Sequence, residues 1–222
     1  MENLVLITSV INTPNNPLSY SKTRSVFTRS ERFEQTKKTI ESIKEKIPNH
    51  KILLVECSEF NETEEKYFES TCNYILNLWS DKNLHNFIFG KSKALGEGTL
   101  TIKALEYINN NKLLFINLFK ISGRYWLNDN FDFNNFNNNS LVFKKINNNI
   151  DNIFTALYKI PYNMLDELKI FLISNIQNMI NCCGYEVLFA YFLKSIQYKN
   201  VITLDTIGIQ GYVTVCGSFY NG

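Results

Sequence analysis

The sequence of 222 residues lacks any long apolar run, and its cysteines follow no recognisable pairing pattern. No stretch approaches the roughly 18 apolar residues of a membrane-spanning helix, and the apolar run at the N-terminus lacks the flanks of a signal peptide. The five cysteines include no Cys-x-x-Cys pair, so neither a zinc site nor a disulfide framework is expected. These absences predict a cytoplasmic protein in a reducing compartment.

A strong net charge and glycine-rich phosphate motifs are lacking as well. Lysine and arginine together number 23 against 21 acidic residues, so the chain has no large basic field for a nucleic acid partner. Gly-x-Gly-x-x-Gly does not follow the first apolar run, and Gly-x-x-x-x-Gly-Lys-Ser/Thr does not occur. A dinucleotide-binding fold and a P-loop enzyme are therefore disfavoured.

Arginine is scarce, whereas asparagine is abundant. Asparagine accounts for 31 of the 222 residues, and lysine outnumbers arginine 19 to 4. The asparagine excess reflects either a functional polar tract or a bias toward AT-rich codons, and its spread along the chain favours codon bias. In a chain that drifts toward lysine, each remaining arginine is expected where its planar fork of donors is needed. The four arginines are Arg24, Arg29, Arg32 and Arg124.

Hydrophobic patterning predicts alternating strands and helices in the first half of the chain. The strands are continuous apolar runs, as expected when both faces of a parallel sheet are covered. They cover residues 4–11, 51–56, 74–79 and 113–119. Helices are predicted between them at 28–47, where Thr28 and Glu31 match a capping box, at 61–72 and at 91–109. This order predicts a parallel α/β sheet with right-handed crossovers.

The second half mixes strands and helices in a less regular order. Strands are predicted at 140–146 and 153–160 around an Asn-rich turn, and short closing strands at 201–205 and 211–215. Helices are predicted at 162–180 and 185–195. A soft boundary near residue 120 separates the two halves within one compact unit.

Polar residues follow the predicted parallel strands, at the sheet edge where such proteins bind ligands. Ser9 lies near the end of the first strand and Arg32 lies beyond it, while Glu56 ends the second strand and Ser58 follows it. Residues 91–98 then open a helix, in which Gly96 would let the backbone approach a ligand and Glu97 could accept from sugar hydroxyls. The alternative for that segment is an ordinary helix start with flexible glycines.

The end of the fourth strand, residues 119–126, is the most informative segment. It carries Lys120, Ser122, Gly123, Arg124 and Tyr125. Arg124 and Lys120 together can neutralise a diphosphate, one as a bidentate fork and the other as a point charge. The alternative is a β-bulge in which Arg124 pairs with Asp129.

Seven segments spread over nearly the whole chain follow a recognisable order. They read TSVI, ERFEQTKKTIESI, LLVECSE, KSKALGEGTLTIKALEYI, FKISGRYWLNDNF, GYEVLF and IGIQGYVTVCG. In this order the sequence resembles the small GT-A-type glycosyltransferases of large DNA viruses, including chlorella-virus enzymes, and of bacterial capsule and surface-polysaccharide clusters. The resemblance implies an α/β, GT-A-like (Rossmann-like) fold with a mostly parallel central sheet and flanking helices. It implies one domain, residues 1–222, with a donor-nucleotide half at about 1–120 and a mixed acceptor half at about 121–222.

The resemblance also implies an enzyme of the hexosyltransferase type. Such an enzyme moves a sugar from a UDP- or GDP-linked donor to a hydroxyl of a glycan or other acceptor, with inversion. The residues placed at the donor nucleotide are Ser9, Arg32, Glu56, Ser58, Lys93, Gly96, Glu97, Ser122, Gly123 and Tyr125.

Three residues receive catalytic roles from the same resemblance. Lys120 and Arg124 would stabilise the leaving diphosphate, and Glu186 would take the acceptor proton. A base is needed because an alcohol is a poor nucleophile until its proton is being removed. The alternative for Glu186 is an acid in the first turn of a helix, where the macrodipole favours negative charge.

The chain departs from this family because it contains no Asp-x-Asp motif to hold Mg²⁺ or Mn²⁺. Asp81, after the third strand, would then hold the metal as a single carboxylate together with the donor phosphates, and this route is the favoured one. Alternatively, Lys120, Arg124 and Arg32 stabilise the diphosphate without a metal. Two rival functions remain: a nucleotidylyltransferase, whose glycine-rich signature is missing, and a non-catalytic sugar- or nucleotide-binding protein of the same fold.

Overall fold

The computed structural model describes residues 2–222, which contain ten strands and seven α-helices. The strands are β1 (Asn3–Ser9), β2 (His50–Glu56), β3 (Tyr74–Asn77), β4 (Asn117–Ser122), β5 (Tyr125–Leu127), β6 (Leu141–Ile146), β7 (Asn149–Pro161), β8 (Val201–Thr203), β9 (Ile209–Tyr212) and β10 (Phe219–Asn221). The helices are α1 (Arg29–Lys46), α2 (Glu62–Thr71), α3 (Lys82–Ile88), α4 (Lys93–Asn110), α5 (Leu165–Ser174), α6 (Ile176–Ile180) and α7 (Tyr185–Ser195).

The main sheet has the strand order β3-β2-β1-β4-β7-β6-β8. The first four of these strands are mutually parallel. Strand β7 is antiparallel to both β4 and β6, and β8 is parallel to β6. A smaller antiparallel sheet has the order β10-β9-β5. The predicted fold class, a mostly parallel central sheet with flanking helices, is confirmed.

The apolar runs become central strands because both faces of the sheet are covered. Every residue of β1 and β4 is buried. Leu4 and Leu6 of β1 belong to one core cluster together with α4 and α7, whereas Val5 and Ile7 belong to a second cluster together with α1. This alternation follows from the two-residue period of a strand. Each fully buried Leu or Ile side chain contributes about 1.5–3 kcal/mol to folding.

Several element boundaries differ from the sequence prediction. Strand β4 begins at Asn117 rather than 113, because the apolar stretch before it is partly in solvent, with Leu114 exposed. The single helix predicted at 162–180 is divided into a 3-10 turn, α5 and α6. The break lies at Asn175, whose side-chain amide donates to Phe171 O at 2.8 Å. Helix α3 and the three-residue strands β5 and β10 were not predicted, since such short elements carry little periodicity.

None of the helices within residues 2–222 combines the length and the apolar character that crossing a bilayer requires.

Capping boxes fix the starts of α1 and α2. Thr28 N donates to the carboxylate of Glu31 at 2.7 Å, and Thr28 Oγ1 accepts from Glu31 N at 3.3 Å. Asn61 and Glu64 form the same reciprocal pair at the start of α2. The predicted box at Thr28 is therefore confirmed, and it sets where α1 begins and hence where Arg32 is carried.

Replacing Thr28 by Ala should lower the free energy of unfolding by about 1 kcal/mol, because the N-cap hydroxyl is lost. Urea denaturation followed by circular dichroism measures the change. The control is Thr28→Ser, which keeps the hydroxyl and should remain within about 0.5 kcal/mol of the wild type. Equal stability of the Ala and Ser variants would show that this box does not hold α1.

Candidate functional site

Three adjoining pockets lie along the edge where the parallel strands end. The main pocket, of about 190 Å³, lies between the starts of α4 and α7, the β4–β5 turn and β7. The arginine pocket, of about 80 Å³, shares Lys93, Glu97 and Arg124 with the main pocket. The aromatic pocket, of about 410 Å³, is lined by Trp79, His85 and Phe89, and Phe89 also lines the arginine pocket. A ligand with three chemically different parts could therefore lie across all three.

The structure brings eight of the predicted site residues to these pockets. Six line the main pocket: Lys93, Glu97, Ser122, Arg124, Tyr125 and Glu186. Two more, Arg32 and Gly96, line the arginine pocket. Glu186 lies in the first turn of α7, whereas Arg124 lies in the turn after β4, so the main pocket joins the two halves of the sequence.

Lys120 lies beneath the pockets rather than in their walls. Its side chain is 1% exposed and forms an ion pair with Glu97. The same ammonium group donates to Ser122 Oγ at 3.0 Å and to Thr155 O at 3.1 Å. All three donors of the Lys120 ammonium group are therefore occupied, so Lys120 acts on the main pocket through Glu97. Glu97 also accepts a hydrogen bond from Thr8 Oγ1 at 3.0 Å.

The ion pair holds Glu97 as a carboxylate. Burial alone would raise the pKa of Glu97, but the charge and hydrogen bond of Lys120 and the hydrogen bond of Thr8 outweigh it and lower that pKa. The carboxylate therefore remains ionised at the junction of the main and arginine pockets. There its oxygens can accept hydrogen bonds from hydroxyl groups of a ligand.

Glu56 and Ser58 hold the loop that follows β1 and do not line the three pockets. The carboxylate of Glu56 accepts from Ile11 N at 3.1 Å and from Ser58 Oγ at 2.8 Å. Ser58 Oγ in turn accepts from Asn12 N at 2.9 Å. Because Asn12 lines the aromatic pocket, these two residues act on that pocket by positioning its wall.

Glycines bring the surrounding elements into close contact. A Cβ on Gly123 would lie 3.0 Å from Ser9 Cβ, and a Cβ on Gly96 would lie 2.8 Å from Ile88 O. Gly123 thus packs the β4–β5 turn onto Ser9 at the end of β1, and neither residue lines the three pockets. Gly96 lines the arginine pocket, but its missing side chain also serves the packing of α4 on α3.

Asp81 does not line any of the three pockets. Its exposed carboxylate accepts from Asn83 N at 3.1 Å and caps the short helix α3. Across the described range 2–222, no group of three or more His, Cys, Asp or Glu side chains could hold a metal ion. A cation at Asp81 would therefore have a single protein carboxylate and would take its other ligands from the donor phosphates and water, so this assignment stays a prediction.

The alternative partner of Arg124 is occupied elsewhere. Asp129 pairs with Lys46 at 3.2 Å, at the end of α1. The guanidinium of Arg124 instead lies 5.8 Å from the ring centroid of Tyr125. Arg29, by contrast, is a structural arginine that forms an ion pair with Glu64.

Arg24 and Thr155 belong to the site although the sequence did not select them. Arg24 Nη2 donates to Phe89 O at 2.8 Å and also bonds Gly90 O, so it ties the loop after β1 to the end of α3 while lining the arginine pocket. The scarcity of arginine was the one signal in the sequence that could have identified Arg24. Thr155 comes from β7, and nothing in its local sequence reveals that β7 pairs with β4.

No family model matches the sequence, and no significant match occurs among curated proteins. A solved structure of a protein assigned as a nucleotide-diphospho-sugar transferase, from Desulfovibrio desulfuricans G20, is similar, with a TM-score of 0.53 and 7% identity, over 92% of this chain and 80% of that one. The chain shares the fold of this transferase. A glycosyltransferase involved in the glycosylation of the major capsid of PBCV-1 aligns with a TM-score of 0.49 and 14% identity, over 92% of this chain and 82% of that one.

Removing one partner of the Lys120–Glu97 ion pair should strongly destabilise the folded protein. Lys120→Met should lower the free energy of unfolding by about 3–5 kcal/mol, because Glu97 is left without its counter-charge. The double variant Lys120→Met/Glu97→Gln should recover part of this loss. Urea denaturation measures both, and Lys103→Met on the solvent-facing pair with Glu106 is the control, expected to change stability by less than about 1 kcal/mol. Additive single and double effects would contradict the coupling.

The same pair predicts a pH dependence with a defined sign. The pKa of the Glu97 carboxyl is lowered in the folded protein. Its contribution to the free energy of unfolding is therefore complete above the usual carboxyl pKa and is lost as the pH falls through the lowered pKa. The stability difference between the wild type and Glu97→Gln should therefore shrink in acid. A difference that is constant from neutral to acidic pH, measured by urea denaturation, would refute this assignment.

Proposed function

We propose that this protein is a glycosyltransferase that moves a sugar from a nucleotide-diphosphate donor to a hydroxyl of an acceptor, with inversion. One observation carries the proposal: three adjoining pockets follow the ends of the parallel strands, and the main pocket is lined by both Arg124 and Glu186. The fold shared with a nucleotide-diphospho-sugar transferase supports the same reading.

The chemistry of the pockets matches the parts of such a donor in order. The nucleoside would lie in the aromatic pocket, which is lined by Trp79, His85 and Phe89; the rings of Trp79 and His85 pack on each other with centroids 4.7 Å apart. The diphosphate would lie in the arginine pocket, and the sugar in the main pocket next to Glu97. The donor is then held largely by residues 1–120, while 121–222 supply Arg124 and the acceptor side.

In the transfer step, the acceptor oxygen bonds to the anomeric carbon as the bond from that carbon to the diphosphate breaks. The electron pair of the broken bond leaves with the nucleoside diphosphate, and the acceptor proton passes to the carboxylate of Glu186. Arg124 faces the negative charge that develops on the leaving group. Glu97, held by Lys120, orients the sugar through its hydroxyls.

Glu186→Gln should reduce release of nucleoside diphosphate from UDP- or GDP-sugars by about 10²–10⁴-fold, because the amide cannot accept the proton. A coupled assay with water or a sugar as acceptor measures the release. Glu167→Gln is the matched control, since Glu167 is also an acid in the first turn of a helix but does not line the main pocket.

The outcomes separate the proposal from its rivals. Unchanged release by Glu186→Gln would remove that residue from the role of base. Release of inorganic pyrophosphate from a nucleoside triphosphate and a sugar phosphate would indicate a nucleotidylyltransferase. Nucleotide binding without release from any donor would indicate a non-catalytic binding protein of the same fold.

A further inference from the structure

Four cationic side chains converge on the arginine pocket from separate parts of the chain. Arg24 comes from the loop after β1, Arg32 from α1, Lys93 from the start of α4, and Arg124 from the β4–β5 turn. Such a convergence of like charges is unfavourable unless something in the pocket compensates it.

The arginines in this pocket have donors that the protein itself does not use. Arg32 is only 4% exposed, and its Nε donates to Val10 O at 2.6 Å. Within residues 2–222, buried nitrogen atoms without a hydrogen-bond partner occur in all three arginines, namely Arg24 Nε, Arg32 Nη1 and Arg124 Nε. A buried donor without an acceptor costs free energy, so these atoms indicate an absent oxygen-rich ligand.

The nearby carboxylates are too few to neutralise the cations of this pocket. Glu97 is paired with Lys120. Glu56 accepts from the loop after β1 through Oε1, whereas its buried Oε2 has no hydrogen-bond partner within residues 2–222. Glu186 lines the main pocket but not the arginine pocket. When Lys120 is included, five cations face three carboxylates, which leaves a formal excess of two positive charges around the site. A diphosphate that links a nucleoside to a sugar carries two negative charges.

The lowered pKa of Arg32 also supports an anionic ligand in the arginine pocket. Burial and the neighbouring charge of Arg124 lower the pKa of Arg32 to about 9, and Glu56 opposes them only in part. Burial also lowers the pKa of Lys93. The charged forms are thus held at an electrostatic cost that a bound anion would relieve.

We propose that Arg24, Arg32, Lys93 and Arg124 bind the donor diphosphate directly and take the place of a divalent metal. This inference rests on the proposed function and deepens it. Arginine forks bind phosphate oxygens bidentately, and the start of α4 adds its amide dipoles at Lys93. The same cations then stabilise the additional charge on the leaving nucleoside diphosphate.

The decisive experiment is calorimetric titration of the intact protein with inorganic pyrophosphate and with UDP and GDP. Each titration is performed in EDTA and again with Mn²⁺. We expect saturable binding of pyrophosphate and of at least one nucleotide in EDTA, with a Kd that changes less than about threefold when Mn²⁺ is added. Binding that appears only with Mn²⁺ would overturn the proposal.

Variants place the ligand in the arginine pocket. Arg124→Lys keeps the charge but loses the fork, and it should weaken pyrophosphate binding about tenfold; Arg124→Met should weaken it about a hundredfold. Arg29→Lys is the matched control, because Arg29 lies on α1 close to Arg32 but pairs with Glu64, and its Kd should be unchanged. Thermal unfolding of each variant verifies that it is folded. Equal affinities in folded Arg124→Met and wild-type protein would overturn the placement.

Failure of this inference and failure of the proposed function give different results. Sugar transfer that strictly requires Mn²⁺ would retain the transferase and reject the metal-free diphosphate site. Pyrophosphate binding in EDTA that depends on Arg124, without release from any nucleotide sugar, would retain the site and reject the transferase.

Discussion

The ion pair between Lys120 and Glu97 is the contact on which the architecture of the site depends. Lys120 extends from β4 and Glu97 from α4, while the hydrogen bonds of the pair reach Thr8 in β1 and Thr155 in β7. A buried ammonium group is tolerated only when its charge and its donors are satisfied, so the positions of these four elements are tied to one another. The pair thereby lies beneath the main and arginine pockets and holds in place the elements that line them.

The pair also divides the charges of the site into two sets with different roles. Lys120 and Glu97 neutralise each other, whereas Arg24, Arg32 and Arg124 keep buried donors without partners. Arg29 shows the contrast within one chain, because its guanidinium is used by Glu64 and the carbonyl of Glu59. Partner occupancy, rather than residue type, separates an arginine that stabilises the fold from one that is available to a ligand.

The elements predicted correctly from the sequence are those that depend on residues close together in the chain. Continuous apolar runs located β1 and β2, because parallel strands buried on both faces have no alternating polar positions. Thr28 and Glu31 located the start of α1, because a capping box is satisfied by residues three apart. These elements carry Arg32 and Glu56 to the strand ends, so part of the site was visible before the structure.

The parts of the site that the sequence did not predict depend on contacts between residues far apart in the chain. Strand β7 returns antiparallel to β4 and brings Thr155 to the pocket, which no local pattern specifies. Glu56 has the polarity of a ligand-binding residue at a strand end, yet its hydrogen bonds show that it anchors the loop. The role of Gly96 could not be decided from the sequence either, because a glycine that lets a ligand approach and a glycine that lets two helices pack look the same in a sequence.

A diphosphate site built from side-chain cations would couple the donor to the fold more closely than a site built around a metal. A metal brings its own charge and needs acidic ligands, which would repel the phosphates in its absence. Here the repulsion lies among the cations themselves, since burial and Arg124 lower the pKa of Arg32. A bound diphosphate removes that repulsion and satisfies the unused guanidinium donors at the same time. Because ligand affinity for the folded state adds to its stability, a bound diphosphate would further stabilise the loop after β1, which Arg24 already ties to the end of α3.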